Sequence, residues 1–253
     1  MFVNYLKPFL FRQKLRKAFT IAEVLITLSV IGIVSALVIP TVKLKVQEHV
    51  LVSRYKQLYG MMNVAFNESV KKHGPVKFWD LEGVSDFVSV RIIKYLIPAG
   101  LNAEYVEGKL PHIVGQWLHN KNTDSVDATR WQIYKLKNGI TFFQVQIAKT
   151  DCSFTHAKYN QSNVYLKNLC ADFSVDLNGE AGPNTFGIDI FQFYISSRGV
   201  IPVGIKEDGL RPIEYYCNPK STRTFNGYSC GAYILDKGKM PWLWGKEVSW
   251  DDK

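Results

Sequence analysis

Residues 19–39 constrain this chain more than any other stretch, because a run of that length and polarity has few places to fold except inside a lipid bilayer. From Phe19 to Ile39 the residues are apolar or small apart from Thr20, Glu23, Thr27 and Ser29. Twenty-one residues at about 1.5 Å of helical rise reach about 31 Å, close to the thickness of a bilayer's hydrocarbon core. Residues 1–17 carry Lys7, Arg12, Lys14, Arg16 and Lys17 and no acidic residue, and cations so placed keep their end of a span on the cytoplasmic side. The expected topology is a single pass, with the N-terminus cytoplasmic and everything after the span outside.

Glu23 interrupts this stretch. A charged side chain at the centre of a span costs roughly 2.5–3.5 kcal/mol, so the carboxylate implies a partner unless it lies near enough to the helix end to reach headgroup water. Two other readings compete for the same residues. Val34-Ser35-Ala36 satisfies the small-x-small rule of signal peptidase, which would leave a chain starting at Leu37. However, the apolar stretch exceeds the 7–15 residues of a signal core, and an acidic residue at its start is foreign to one. An uncut signal anchor is the other.

The junction Lys17-Ala18-Phe19-Thr20-Ile21-Ala22-Glu23-Val24-Leu25-Ile26 resembles the prepilin-type processing and methylation signal of type IV pilins and type II secretion pseudopilins. The resemblance implies cleavage between Ala18 and Phe19 by a prepilin peptidase and N-methylation of Phe19. It also implies that Glu23 pairs with the Phe19 amine of a neighbouring subunit, and that Pro40 is the family's helix-bending proline. Ala18 stands where the family usually has glycine, which implies slower processing. The likeness is specific over residues 12–42. Over the rest it rests on helix-then-sheet order and the last cysteine pair.

What it implies is a structural subunit of a type IV pilus or secretion pseudopilus. The subunit is held in the inner membrane and polymerises through its N-terminal helix. Its partners would be other pilin or pseudopilin subunits, the peptidase, an inner-membrane assembly platform and membrane lipid.

Composition bounds the remainder. With 47% hydrophobic and 13% aromatic residues, the 253-residue chain supports a buried core besides the span. The five leader cations leave 26 basic against 22 acidic residues over residues 19–253, a net charge of +4 in place of +9. No dense basic run follows beyond Lys71-Lys72, so nucleic acid is not an expected partner. The chain is not read as an enzyme: it shows no zinc-binding H-E-x-x-H, no P-loop, no dinucleotide fingerprint and no serine nucleophile elbow. A DNA-uptake or adhesion subunit, and a membrane-anchored exported enzyme, are the alternative classes.

Beyond Pro40, which should bend or loosen the rod, Leu51, Tyr55, Leu58, Met62, Ala65, Phe66 and Val70 recur at helical steps and form one apolar face. Gly74-Pro75 ends that stem. A second helix is expected over residues 78–97, and a loop over 101–129 that carries His112 and His119 as surface histidines. Strands are expected over 131–136 and 140–147, joined at Asn138-Gly139, then over 171–176, 188–195 and around 200–203. The fold class is α+β: a long N-terminal transmembrane and amphipathic helix packed on a C-terminal antiparallel β-sheet head. The segments are leader 1–18, assembly helix 19–40, stem 41–74 and head 75–253.

Two further features concern the head. Asp176-Leu177-Asn178-Gly179 followed by Asp189 has the alternating oxygens of a calcium loop without its full spacing, so Asp176, Asn178 and Asp189 are calcium candidates against a plain Asx-and-Gly turn. No other cofactor is expected. Cys152, Cys170, Cys217 and Cys230 all lie outside the cytoplasm in this topology, which favours disulfides over zinc. Four cysteines allow three connectivities, among them the local one, 152 with 170 and 217 with 230. The latter pair resembles the C-terminal disulfide-bounded region of pilins. Trp242, Trp244 and Trp250 suit either a core cover or an exposed aromatic patch. Asn160-Gln161-Ser162 matches a glycosylation acceptor and is assigned no role.

Overall fold

In a computed structural model, residues 19–79, 89–96, 103–105, 117–118, 133–147, 149, 151–154 and 166–251 are described. Helix α1 runs unbroken from Ile21 to His73, with Pro40 inside it. Contacts divide the chain between Leu44 and Lys45. Within the unit that starts at Lys45, α1 ends as the sequence signals. Lys71, Lys72 and His73 occupy the last turn, and Gly74 follows at φ +76°, its N–H donating to Val70 O at 2.8 Å. Glycine accepts that left-handed backbone at no steric cost. Trp79 then folds back, its Nε1 donating to Gly74 O at 2.8 Å.

Among the described residues the sheet has six antiparallel strands in the order of the chain. They are β1 Ala103–Tyr105, β2 Tyr134–Leu136, β3 Thr141–Ile147, β4 Leu169–Asp176, β5 Ile190–Ser196 and β6 Gly199–Pro202. Strand β1 corrects the loop reading of residues 101–129. Three residues between turn signals are too few for a period-2 pattern to register. His112 and His119 lie outside the described residues, as does half of the helix expected over 78–97; its last part appears as helical turns Ser89–Ile93 and Lys94–Leu96. The β2–β3 connection is a three-residue loop, Lys137 to Gly139, because Leu136 N donates to Ile140 O at 2.8 Å. Gly139 has φ +89° and Asn138 is not among the positive-φ residues, so Asn-Gly turns the chain here without the two-residue geometry expected of it.

One face of α1 covers this sheet. Leu51, Val52, Tyr55, Leu58, Met62, Ala65, Phe66 and Ser69 are buried, whereas Val70 is only partly so. The Tyr55 ring lies 4.6 Å from Phe191 and 5.5 Å from Phe193. Phe193 stacks on Phe173 at 5.6 Å, and Phe173 on Phe142 at 6.0 Å. These rings come from three neighbouring strands at alternating positions, as the pleat requires. Each side chain so buried contributes about 1.5–3 kcal/mol.

The opposite sheet face is covered too. Phe143, Ile190, Tyr194 and Ile201 pack with Trp117, Phe186 and Tyr228 in a second cluster, and β5 is buried at every position.

Helices α2, Ile213–Tyr216, and α3, Cys230–Lys237, follow the sheet, and both cysteine pairs close locally as Cys152–Cys170 and Cys217–Cys230. Each bridge contributes on the order of 3 kcal/mol by restricting the unfolded chain. The C-terminal tryptophans divide between core and surface: Trp244 is exposed and Trp250 half-buried. Trp242 is buried, its Nε1 donating to Gly187 O at 2.6 Å. Trp244 Nε1 and Met240 N donate to the two oxygens of Glu48 at 3.0 and 2.7 Å, which ties the chain's end to α1.

Helix α3 meets α1 at Gly231. A Cβ there would lie 2.2 Å from Tyr55 Oη, a buried hydroxyl without a hydrogen-bond partner among the described residues. Gly231→Ala should therefore destabilise the protein by about 1–3 kcal/mol through overpacking, and Tyr55→Phe should recover part of that loss. Urea unfolding of the two single variants and the double variant in detergent micelles checks this; additive effects would contradict the contact.

Candidate functional site

The start of α1 carries polar side chains bonded to one another. Thr20 N donates to Glu23 Oε2 at 2.8 Å and Thr20 Oγ1 donates to the same oxygen at 3.0 Å, while Glu23 N donates to Thr20 Oγ1 at 3.2 Å. This is a capping box: a threonine and a glutamate three residues on satisfy each other's otherwise unpaired N–H groups. The sequence reading singled out Glu23 and passed over Thr20, although Thr-x-x-Glu before an apolar run is the signal for this device.

Phe19, just outside the helix, is 85% exposed; Ala18 lies outside the described residues. None of the most apolar stretch of α1 is buried, and the helix is long and apolar enough to cross a membrane once.

The second site is the loop from Asp176 to Asp189, between β4 and β5. Asp176 Oδ1 accepts N–H groups from Asn178 and Gly179 at 2.9 and 2.8 Å, an Asx turn, and Gly179 follows at φ +60°. Asp189 accepts from Asn184 N at 2.9 Å and Thr185 N at 2.6 Å. Asn178 Nδ2 donates to Gly182 O at 3.0 Å. The plain turn is thus built, and both carboxylates are fully buried within it.

Three oxygens remain over. Asp176 Oδ2, Asn178 Oδ1 and Asn184 Oδ1 are buried without a donor among the described residues. Burial, and then the neighbouring charge of Asp189, push the Asp176 carboxyl up to about 7. Burial also raises Asp189, outweighing its backbone hydrogen bonds. Among the described residues no three His, Cys, Asp or Glu side chains converge. The loop offers two carboxylates and two amide oxygens, a donor set of the hard-oxygen kind that calcium takes. Asn184, at φ +51°, was missed in the sequence because it lies outside the D-x-N pattern.

One further match was overlooked. Gly227-Tyr228-Ser229-Cys230-Gly231 has the G-x-S-x-G spacing of a hydrolase elbow, which requires an exposed serine on a strand-to-helix turn. Here Ser229 is fully buried, its Oγ donates to Arg211 O at 2.7 Å, and Cys230 is in a disulfide. Ser229 ties the start of α3 to the Arg211 backbone and packs.

Comparison with family models, with curated proteins and with solved structures finds no match to this chain.

Proposed function

We propose that this chain is a prepilin or pseudopilin: a single-pass inner-membrane subunit, cut between Ala18 and Phe19, whose mature form polymerises through the first half of α1. One observation carries the reading. Among the described residues the apolar half of α1 is not buried; it is preceded by a basic leader and begins with a carboxylate at a helix start. A surface of that kind is stable only against lipid or against copies of itself.

In this reading the membrane stores monomers, with Thr20 holding one oxygen, Oε2, of the Glu23 carboxylate. On assembly, helix-to-helix contact replaces lipid contact, and the Glu23 carboxylate pairs with the Phe19 amine of the adjoining subunit, which sets the register. The partners are other subunits, the processing peptidase and an assembly platform in the membrane. Glu23→Ala should be processed normally and should lower filament yield, seen by electron microscopy of shear fractions, to background; normal filaments from that variant would refute the role of the carboxylate.

The Asp176–Asp189 loop is a structural calcium site in this reading. Asp176, Asn178, Asn184 and Asp189 would hold the ion, whose charge would relieve the repulsion between two buried carboxylates. Adding calcium to the EDTA-treated protein should raise its unfolding free energy, by about 2.7 kcal/mol at a hundredfold excess over Kd. Asp189→Ala should abolish the gain. An unchanged thermal unfolding midpoint in calcium would remove the ion from the account and leave the turn.

A further inference from the structure

A groove beside the edge strand has no part in assembly as described. It encloses about 730 Å³ between α1, β6 and α3, with Trp250 on one side, a size typical of small-ligand sites at roughly 300–1,000 Å³. Strand β6 is the outermost of the sheet among the described residues. Val203 N donates across to Gln192 O at 3.1 Å. The alternation of an antiparallel ladder therefore turns the backbone groups of Gly199 and Ile201 toward β5, and those of Val200 and Pro202 into the groove. Pro202 has no N–H to give, which spoils this edge as a template for an added peptide strand. The side chains, not the backbone, define what the groove accepts.

Set among the aliphatic Val200, Ile205, Ala232 and Leu235, the side chains able to select a ligand are of three kinds. Tyr59 and Trp250 bring aromatic rings, and Trp250 is held by its Nε1 donating to Gly204 O at 3.2 Å. Asn63 brings an acceptor: its Nδ2 donates to Tyr59 O at 3.0 Å, which leaves Oδ1 for a ligand. A Cβ on Gly199 would lie 3.4 Å from that oxygen, so glycine at this position keeps the space before it open. The third kind is charge. Asp236 is shared with Lys237 at 3.3 Å, whereas the Arg198 guanidinium, at the β5–β6 turn, has no ion pair among the described residues. A planar guanidinium takes carboxylates in a two-point bond.

From this combination we infer that the groove binds an acidic saccharide. A sugar ring lies on the aromatic side, its hydroxyls donate to Asn63 Oδ1 and Asp236, and its carboxylate pairs with Arg198. A neutral saccharide would leave the guanidinium unused, and an extended peptide would meet the edge at Pro202. The inference stands whether or not the chain forms filaments.

The test is a titration of the full-length protein in detergent micelles with a tetrasaccharide of alternating glucuronate and N-acetylglucosamine, read by calorimetry and tryptophan fluorescence. Saturable binding is expected, weakened about tenfold in Arg198→Ala and in Asn63→Ala, as loss of a charge-assisted or buried hydrogen bond implies, with far-UV circular dichroism unchanged. Maltotetraose should bind at least about tenfold more weakly. Absence of saturation, equal binding by Arg198→Ala, or equal binding of maltotetraose would overturn the inference. Saturation by a glutamate-rich hexapeptide that competes with the tetrasaccharide and outbinds it would overturn it too, and would make the groove a peptide site.

Discussion

The Tyr55 ring, set against Phe191 and Phe193 with Gly231 pressed on its hydroxyl, is the contact through which α1, the central strands and α3 share one core. Helical spacing carries the seam along α1 to Leu58, Met62 and Phe66, all buried. Close packing of this kind tolerates little change of volume. It fixes the helix's second half to the sheet, and Glu48 extends the same attachment to the C-terminal segment through Met240 and Trp244. The apolar residues of the helix's first half have no such seam among the described residues, and that half is long and apolar enough to cross a membrane once.

Much of this was legible in residue spacing. The seven apolar positions from Leu51 to Val70 mark the covered face of α1 because the helical period is strict there, and strands β2 to β6 follow from alternation and turn residues. The local cysteine pairing was one of three open connectivities, and packing selects it. What escaped has physical reasons. Strand β1 is too short to show a period, and the second sheet face is covered by residues distant in sequence, Trp117 and Tyr228 among them, which blurs any polar-out alternation. The cap at Thr20 was legible but was absorbed into the motif around Glu23.

The Asp176–Asp189 loop shows how a site can be half visible. Asp176, Asn178 and Asp189 stand out by type and spacing, but whether a carboxylate oxygen ends with a donor or without one is decided by how the loop closes. Asn184 enters only because the chain turns at Gly182 and Asn184, both at positive φ. Buried oxygens left without donors are uncommon in folded proteins, and this loop has three. The groove beside β6 is invisible in sequence altogether, since its residues come from α1, β6, α3 and the C-terminal segment.

The central claim is that α1 begins as a processed assembly helix, and the N-terminus of the membrane-associated protein decides it. Intact-mass and peptide mass spectrometry of the protein from its native host should find a chain that starts at an N-methylated Phe19. A chain starting at Leu37 would make the apolar stretch a signal peptide and the head a soluble exported domain, and an intact Met1 would make it a simple anchor. Either result contradicts the account.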